Sequence, residues 1–251
     1  MKRLVLATLI LAVGIIVARA ADSSPVYELR IYTTNPGKMP GLLTRFRDHT
    51  CAIFERHGMV NVGYWLPADP ADSNRLFYLL KHPSREQAAK HWKEFAADPE
   101  WQQVQKASEA NGKLVTKVDS TFLEPADYTP PLAVPAGSGH AFELRIYTTN
   151  EGKLPALDAR FRDHTIGLFR RHGIESVFYS HPLDVAQGAG NTLIYLLVHP
   201  DRATAAKNWA AFQADPEWIT VRTESEKAGK LLVPPGPKST FLTPTDFSPM
   251  K

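Results

Sequence analysis

Six polar side chains occur as two matched triplets. Glu28, Arg30 and Tyr32 take every second position of the β-prone run YELRIYTT, and Glu143, Arg145 and Tyr147 repeat them in FELRIYTT. Alternate residues of a strand share a face, so each triplet stands together. An arginine can hold a carboxylate bidentately while a neighbouring tyrosine stacks or donates a proton, which makes each triplet a candidate ligand-binding cleft. The plainer alternative is a buried polar layer in which Glu and Arg satisfy each other and fix how two sheets register. In either case the polar face is expected to meet a partner sheet.

Histidines supply the second set of candidates. His49, His57 and His82 match His164, His172 and His199 in the second half. His49 follows Leu42 and Phe46 at helical spacing and is expected at the edge of the sheet-facing side, with Tyr78 or Tyr64 as hydrogen-bond partner. In an enzyme, His49 or His164 would act as base, oriented by Tyr78 or Tyr195. In a non-enzyme they are satisfied core residues. His57 precedes Gly58 at a helix C-terminus, where imidazolium is favoured and the role is structural. His82 precedes Pro83 and reads as a turn residue.

Other chemistry finds little support. No histidine pair has the i, i+4 spacing of a helical metal site, and no HExxH, GxGxxG, P-loop, GxSxG or EF-hand loop occurs. No metal and no cofactor are expected from these patterns. Cys51 is the single cysteine and aligns with Ile166, so it reads as a small core hydrophobe. Trp92, Trp101, Trp209 and Trp218 fall on apolar helical faces and read as core.

The chain has 251 residues, 43% hydrophobic and 22% charged, with a formal charge of +3. That composition is globular. Lys2 and Arg3, the apolar run Leu4–Val17 and Ala18-Arg19-Ala20 describe a secretory signal peptide over residues 1–20. Its removal takes three basic residues and no acid, so the remainder has no net charge and no electrostatic pull toward nucleic acid or anionic membrane. An exported, periplasmic or secreted protein with no membrane span after cleavage is expected.

The chain is written twice. Residues 27–59 and 142–174 agree at 22 of 33 positions, and 78–109 and 195–226 at 19 of 32. Such a period has the size of a small domain, so it marks a tandem duplication. Domains over 26–129 and 141–251 are expected, joined by a Pro/Gly linker over 130–140. Within each, the order reads strand, helix, strand, strand, helix, strand. Asn35-Pro36-Gly37 turns the chain, Ser84 with Gln87 opens the second helix and Asp98-Pro99 restarts it. The βαββαβ order is the α+β, ferredoxin-like plan.

One strand breaks the rule that an open antiparallel sheet has a wet face. Leu76, Tyr78 and Leu80 fill one side of the third strand while Phe77 and Leu79 fill the other, and its twin is apolar from Leu193 to Val198. A strand apolar on both sides is buried on both. The cover at hand is the sheet of the other repeat. The two domains are therefore expected to pack sheet to sheet as one intrachain pseudo-dimeric α/β barrel. A chain that covers its own sheets is expected to be a monomer.

The motifs now in hand resemble the NIPSNAP family. They are YELRIYT and FELRIYT, FRDHT at Phe46 and Phe161, DPEW at Asp98 and Asp215, and the endings FLEPADYTP and FLTPTDFSP. The resemblance implies ferredoxin-like domains of the dimeric α/β-barrel superfamily and a poorly defined biochemical activity. The expected function is binding of a small molecule or a protein partner rather than catalysis. The alternative is a cofactor-independent monooxygenase-like or haem-dependent enzyme with its pocket between sheet and helices; haem is the one cofactor that the superfamily resemblance implies, with His49 or His164 as its axial ligand.

Overall fold

The computed structural model describes residues 24–133 and 139–251; the expected signal peptide and the middle of the expected linker lie outside the described residues. The first repeat runs β1 (Val26–Thr34), α1 (Met39–Arg45), α2 (Cys51–Arg56), β2 (Val60–Pro67), β3 (Arg75–His82), α3 (Arg85–Ala97), α4 (Pro99–Ser108) and β4 (Val115–Pro125). The second repeats the order: β5 (Ala141–Thr148), α5 (Leu154–Arg160), α6 (Ile166–Arg171), β6 (Glu175–Pro182), β7 (Thr192–His199), α7 (Arg202–Ala214), α8 (Pro216–Ser225) and β8 (Lys238–Pro244). Ser84 accepts from the Gln87 N–H, and Asp98 accepts from the N–H groups of Glu100 and Trp101. The caps thus start α3 and α4 where the sequence places them.

The two sheets close into one eight-stranded barrel in the order β1-β3-β2-β8-β5-β7-β6-β4. Closure depends on strands that cross between repeats. Trp65 to Pro67 of β2 pair with Leu242 to Pro244 of β8, and Leu123 to Pro125 of β4 pair with Ser180 to Pro182 of β6. Neither sheet keeps a free edge at these seams, and such an edge invites unwanted pairing.

The barrel interior holds Leu29, Phe77, Leu79 and Trp65 from the first repeat with Leu144, Phe178, Ile194 and Leu196 from the second. Phe77 and Leu79 are thus buried by the other half, as their two-sided apolar strand requires. The repeats fit by exchanging bulk. Gly63 and Trp65 in β2 correspond to Phe178 and Ser180 in β6, and a Cβ at Gly63 would meet the Trp65 ring at 2.2 Å. About 20 Å³ remains free at the axis, lined by apolar residues. No ligand fits there.

Between α1 and α2 the FRDHT sequence forms a π-helical turn, Phe46–Thr50, and Phe161–Thr165 does the same between α5 and α6. The Cys51 N–H bonds to the Phe46 carbonyl five residues back. Thr50 Oγ1 donates to the Arg45 carbonyl at 3.0 Å, so the wide turn leaves that acceptor satisfied. No helix among the described residues is long and apolar enough to cross a membrane.

Candidate functional site

Register places the polar triplets. Leu29 lies opposite Leu79 and Ile31 opposite Phe77, which commits that face of β1 to the barrel interior. The alternate residues Glu28, Arg30 and Tyr32 must then face the helices. Arg30 stands opposite Tyr78 on β3 and opposite Ser120 on β4.

Glu28 collects donors from four elements. Its carboxylate accepts from Arg30 Nη1 at 2.5 Å, Ser120 Oγ at 2.6 Å, Trp92 Nε1 at 2.7 Å and His82 Nε2 at 3.2 Å. Arg30 Nε donates to Tyr78 Oη at 2.8 Å and Nη2 to Tyr32 Oη at 3.4 Å, while the guanidinium sits 4.1 Å from the Trp92 ring centre. The second repeat copies the arrangement. Glu143 accepts from Arg145, Ser239, Trp209 and His199 at 2.5, 2.6, 2.8 and 3.1 Å, and Arg145 Nε donates to Tyr195 Oη at 2.9 Å.

Burial pushes the Glu28 carboxyl up, yet the His82 hydrogen bond, the Arg30 charge and the bonds from Ser120 and Trp92 outweigh it and hold the group at about 2. Glu143 is held at about 2 by the same set of groups. Burial opposes the Arg30 charge, but Tyr78, Tyr32 and Glu28 together raise its pKa, and Arg145 is raised in the same way. Burial drives the Tyr78 and Tyr195 phenols well above their usual range. Each cluster is therefore a fixed ion pair flanked by neutral phenols at physiological pH.

In the second repeat the cluster borders a cavity of about 550 Å³ between the sheet and helices α5 to α8. Arg145 and Tyr147 reach it from the sheet, Arg160 and Arg222 from the helices, and Trp209 and Trp218 give it aromatic walls. This volume suits a small organic ligand.

A family model described as NIPSNAP matches residues 27–130 and again 142–249. The chain belongs to the NIPSNAP family. Two solved structures that superpose over most of the chain agree on the fold. A proposed monooxygenase from Lactobacillus acidophilus superposes with TM-score 0.57 at 8% identity, over 88% of this chain and 94% of that one. Another from Fusobacterium nucleatum gives 0.58 at 10% identity, over 91% and 99%. A NIPSNAP family protein of unknown function from Agrobacterium tumefaciens is 22% identical, with TM-score 0.38, over 44% of this chain and 96% of that one. No curated protein matches.

The NIPSNAP chain departs from several sequence expectations. Glu28, Arg30, Tyr32 and Glu143, Arg145, Tyr147 face the helices of their own repeat, not the partner sheet. Alternation shows which residues stand together, and register decides where they point. His49 and His164 are exposed on the outer flank of the π turns, each lining an open groove against the last helix of its repeat. The wide turn delays the inward position by one residue, so Thr50 and Thr165 are buried instead. Tyr78 and Tyr195 are fully buried and bonded to arginine, so they orient neither histidine.

The same geometry leaves a haem in the NIPSNAP cavity no histidine ligand. Neither His49 nor His164 lines it, and Tyr147, whose hydroxyl accepts from Arg145, is the one side chain on its walls of a kind that ligates haem iron. Among the described residues no group of three or more His, Cys, Asp or Glu is arranged to hold a metal. His82 and His199, expected in turns, are fully buried against Glu28 and Glu143. Ser120, Ser239 and Arg160 were not singled out either. The serines sit in the STFL repeated at both tails, and Arg160 directly precedes the second FRDHT. Those repeats were the available signal. His57 is structural as expected, bonding the Asp98 cap of α4 at 2.7 Å.

Proposed function

We propose that this NIPSNAP protein binds a small organic molecule in the second-repeat cavity, between sheet and helices. The observation that carries the reading is the meeting there of Arg145 and Tyr147 with an aromatic-walled space of about 550 Å³. The Glu143–Arg145 pair serves as a rigid floor. Its atoms are held by neighbours on β5, β7, β8 and α7, so little order has to be gained on binding. The open side is framed by the end of α7, by α8 and by the residues that follow it, where Gln213, Arg222 and Leu232 stand.

A thermal-shift screen of small aromatic and aliphatic compounds on the full chain tests this. A ligand of the cavity raises the melting temperature by mass action. The rise should disappear in Gln213→Trp, which fills the mouth. A screen without hits, or hits indifferent to Gln213→Trp, removes the reading.

Oxygenase activity without a cofactor is the second reading, supported by the whole-chain fold likeness to proposed monooxygenases. Arg145 would stabilise the anion of an ionised substrate before it meets oxygen. Oxygen uptake on adding a screening hit is its measurement, and no uptake with any hit removes it. Export and a monomeric state are carried as proposals with both readings.

A further inference from the structure

The two repeats keep the same ion-pair cluster but differ above it. Gln105 in α4 becomes Arg222 in α8, and Ala96 in α3 becomes Gln213 in α7. Arg222 lines the cavity and has no carboxylate within ion-pair distance among the described residues.

Charge balance differs as well. In the first repeat Arg45 is held by Glu109 at 3.1 Å, and that same oxygen also accepts from the Leu114 N–H. In the second, Glu226 turns to Lys230 at 2.7 Å and stands 3.7 Å from Arg160. Arg160 is 5% exposed and its Nε has no hydrogen-bond partner, a shortfall Arg45 shares, so the difference between the repeats lies in the carboxylate. Burial depresses the Arg160 pKa, and the nearby Arg222 charge acts in the same direction. The cavity thus presents two guanidiniums against one carboxylate that is largely committed elsewhere, beside an Arg145–Glu143 pair that is already neutral. An unbalanced, half-dry positive site is costly until an anion enters.

The chain path adds the rest of the enclosure. In the first repeat β4 pairs alongside Tyr32 and Thr33 as far as Val115. In the second, Val233-Pro234-Pro235-Gly236-Pro237 replaces that stretch, and the β5–β8 ladder ends at Ile146 opposite Lys238. Prolines have no N–H to continue the ladder. Leu232 and Pro237 form an apolar lip instead, lining the same cavity as Trp218 and Phe212, whose ring centres lie 4.5 Å apart at a tilt of 34°.

We propose that the second-repeat cavity is a site for an organic anion with a flat aromatic body, an aromatic carboxylate being the simplest form, and that the first repeat has no equivalent site. The proposal rests on the reading that this cavity binds small molecules, and it names the ligand class. Arg222 and Arg160 take the carboxylate. Trp209, Trp218 and the lip take the ring.

Calorimetric titration of the full chain with 2-naphthoate, and with neutral 2-naphthamide, is the test. Naphthoate should bind with one site per chain and at least tenfold more tightly than naphthamide. Arg222→Gln installs the residue of the first repeat at an exposed position, so folding should be unchanged, as an unshifted melting temperature would confirm. It should weaken naphthoate at least tenfold and leave naphthamide unaffected. Two sites per chain, equal affinity for the two probes, or naphthoate binding indifferent to Arg222→Gln each overturn the proposal. If only uncharged compounds from the thermal-shift screen bind, and Gln213→Trp abolishes them, the anion site falls and the binding reading stands. If nothing binds, both fall.

Discussion

Arg30 stands directly across the β1–β3 ladder from Tyr78 and donates Nε to its hydroxyl at 2.8 Å, and Arg145 and Tyr195 reproduce the pair at 2.9 Å. A guanidinium fixed by a buried phenol on one side and a buried carboxylate on the other cannot swing away when its counter-charge is removed.

Loss of that counter-charge should therefore be expensive. Glu28→Gln keeps the shape and strands Arg30 without an anion, so it should destabilise by roughly 3–5 kcal/mol. Replacing both partners, Glu28→Leu with Arg30→Met, should cost less than the two single changes added together. Urea unfolding of Glu28→Gln, of Glu28→Leu and Arg30→Met singly, and of their double variant measures both quantities. An additive double variant would show that the pair is not coupled.

Acid should attack the same groups. Glu28 and Glu143 sit at about 2 in the fold against an ordinary value of 4.5. Their contribution is fully present above about pH 5 and is lost as pH falls from there through about 2, on the order of 3 kcal/mol for each. Stability measured from pH 6 to pH 2.5 should fall steeply, and more gently in the Glu28→Gln, Glu143→Gln double variant. Parallel curves would contradict this assignment.

The lone thiol should be quiet. Burial pushes Cys51 up to about 11, so little thiolate exists at neutral pH. Iodoacetamide at pH 7.5 should label the folded chain at least tenfold more slowly than the same chain in urea. Equal rates would show an accessible, ionised sulfur.

Barrel closure predicts cooperativity across the repeats. Phe77 and Leu196 pack in one interior although they belong to different halves. Phe77→Ala should destabilise by about 3–5 kcal/mol through transfer and cavity terms. Unfolding should remain a single transition followed equally by probes in either repeat. Two separated transitions would mean that the halves fold independently.

Much of this architecture is legible in the chain itself. Internal identity marks the duplication, caps mark α3 and α4, and the two-sided apolar strand at Phe77 and Leu79 demands a second sheet. The candidate site is less legible, for physical reasons. Strand alternation groups Glu28, Arg30 and Tyr32 but is blind to which way the group points. A π turn adds one residue to a helical repeat, which carries His49 outward while leaving the apolar pattern nearly intact. His82 has the local sequence of a turn, His-Pro, yet ends a central strand whose burial depends on residues far away in the chain. The imbalance around Arg160 depends on how the largely buried Glu226 divides between Arg160 and the exposed Lys230.

The seams at β2–β8 and β4–β6 make one polypeptide carry both halves of the barrel. In a ring of identical subunits, symmetry forces every inherited change to appear in each copy. Here the genetic text of each half can drift alone. One half can keep the scaffold sound while its sibling explores new chemistry, and the lone arginine on α8 reads as an early step of that kind.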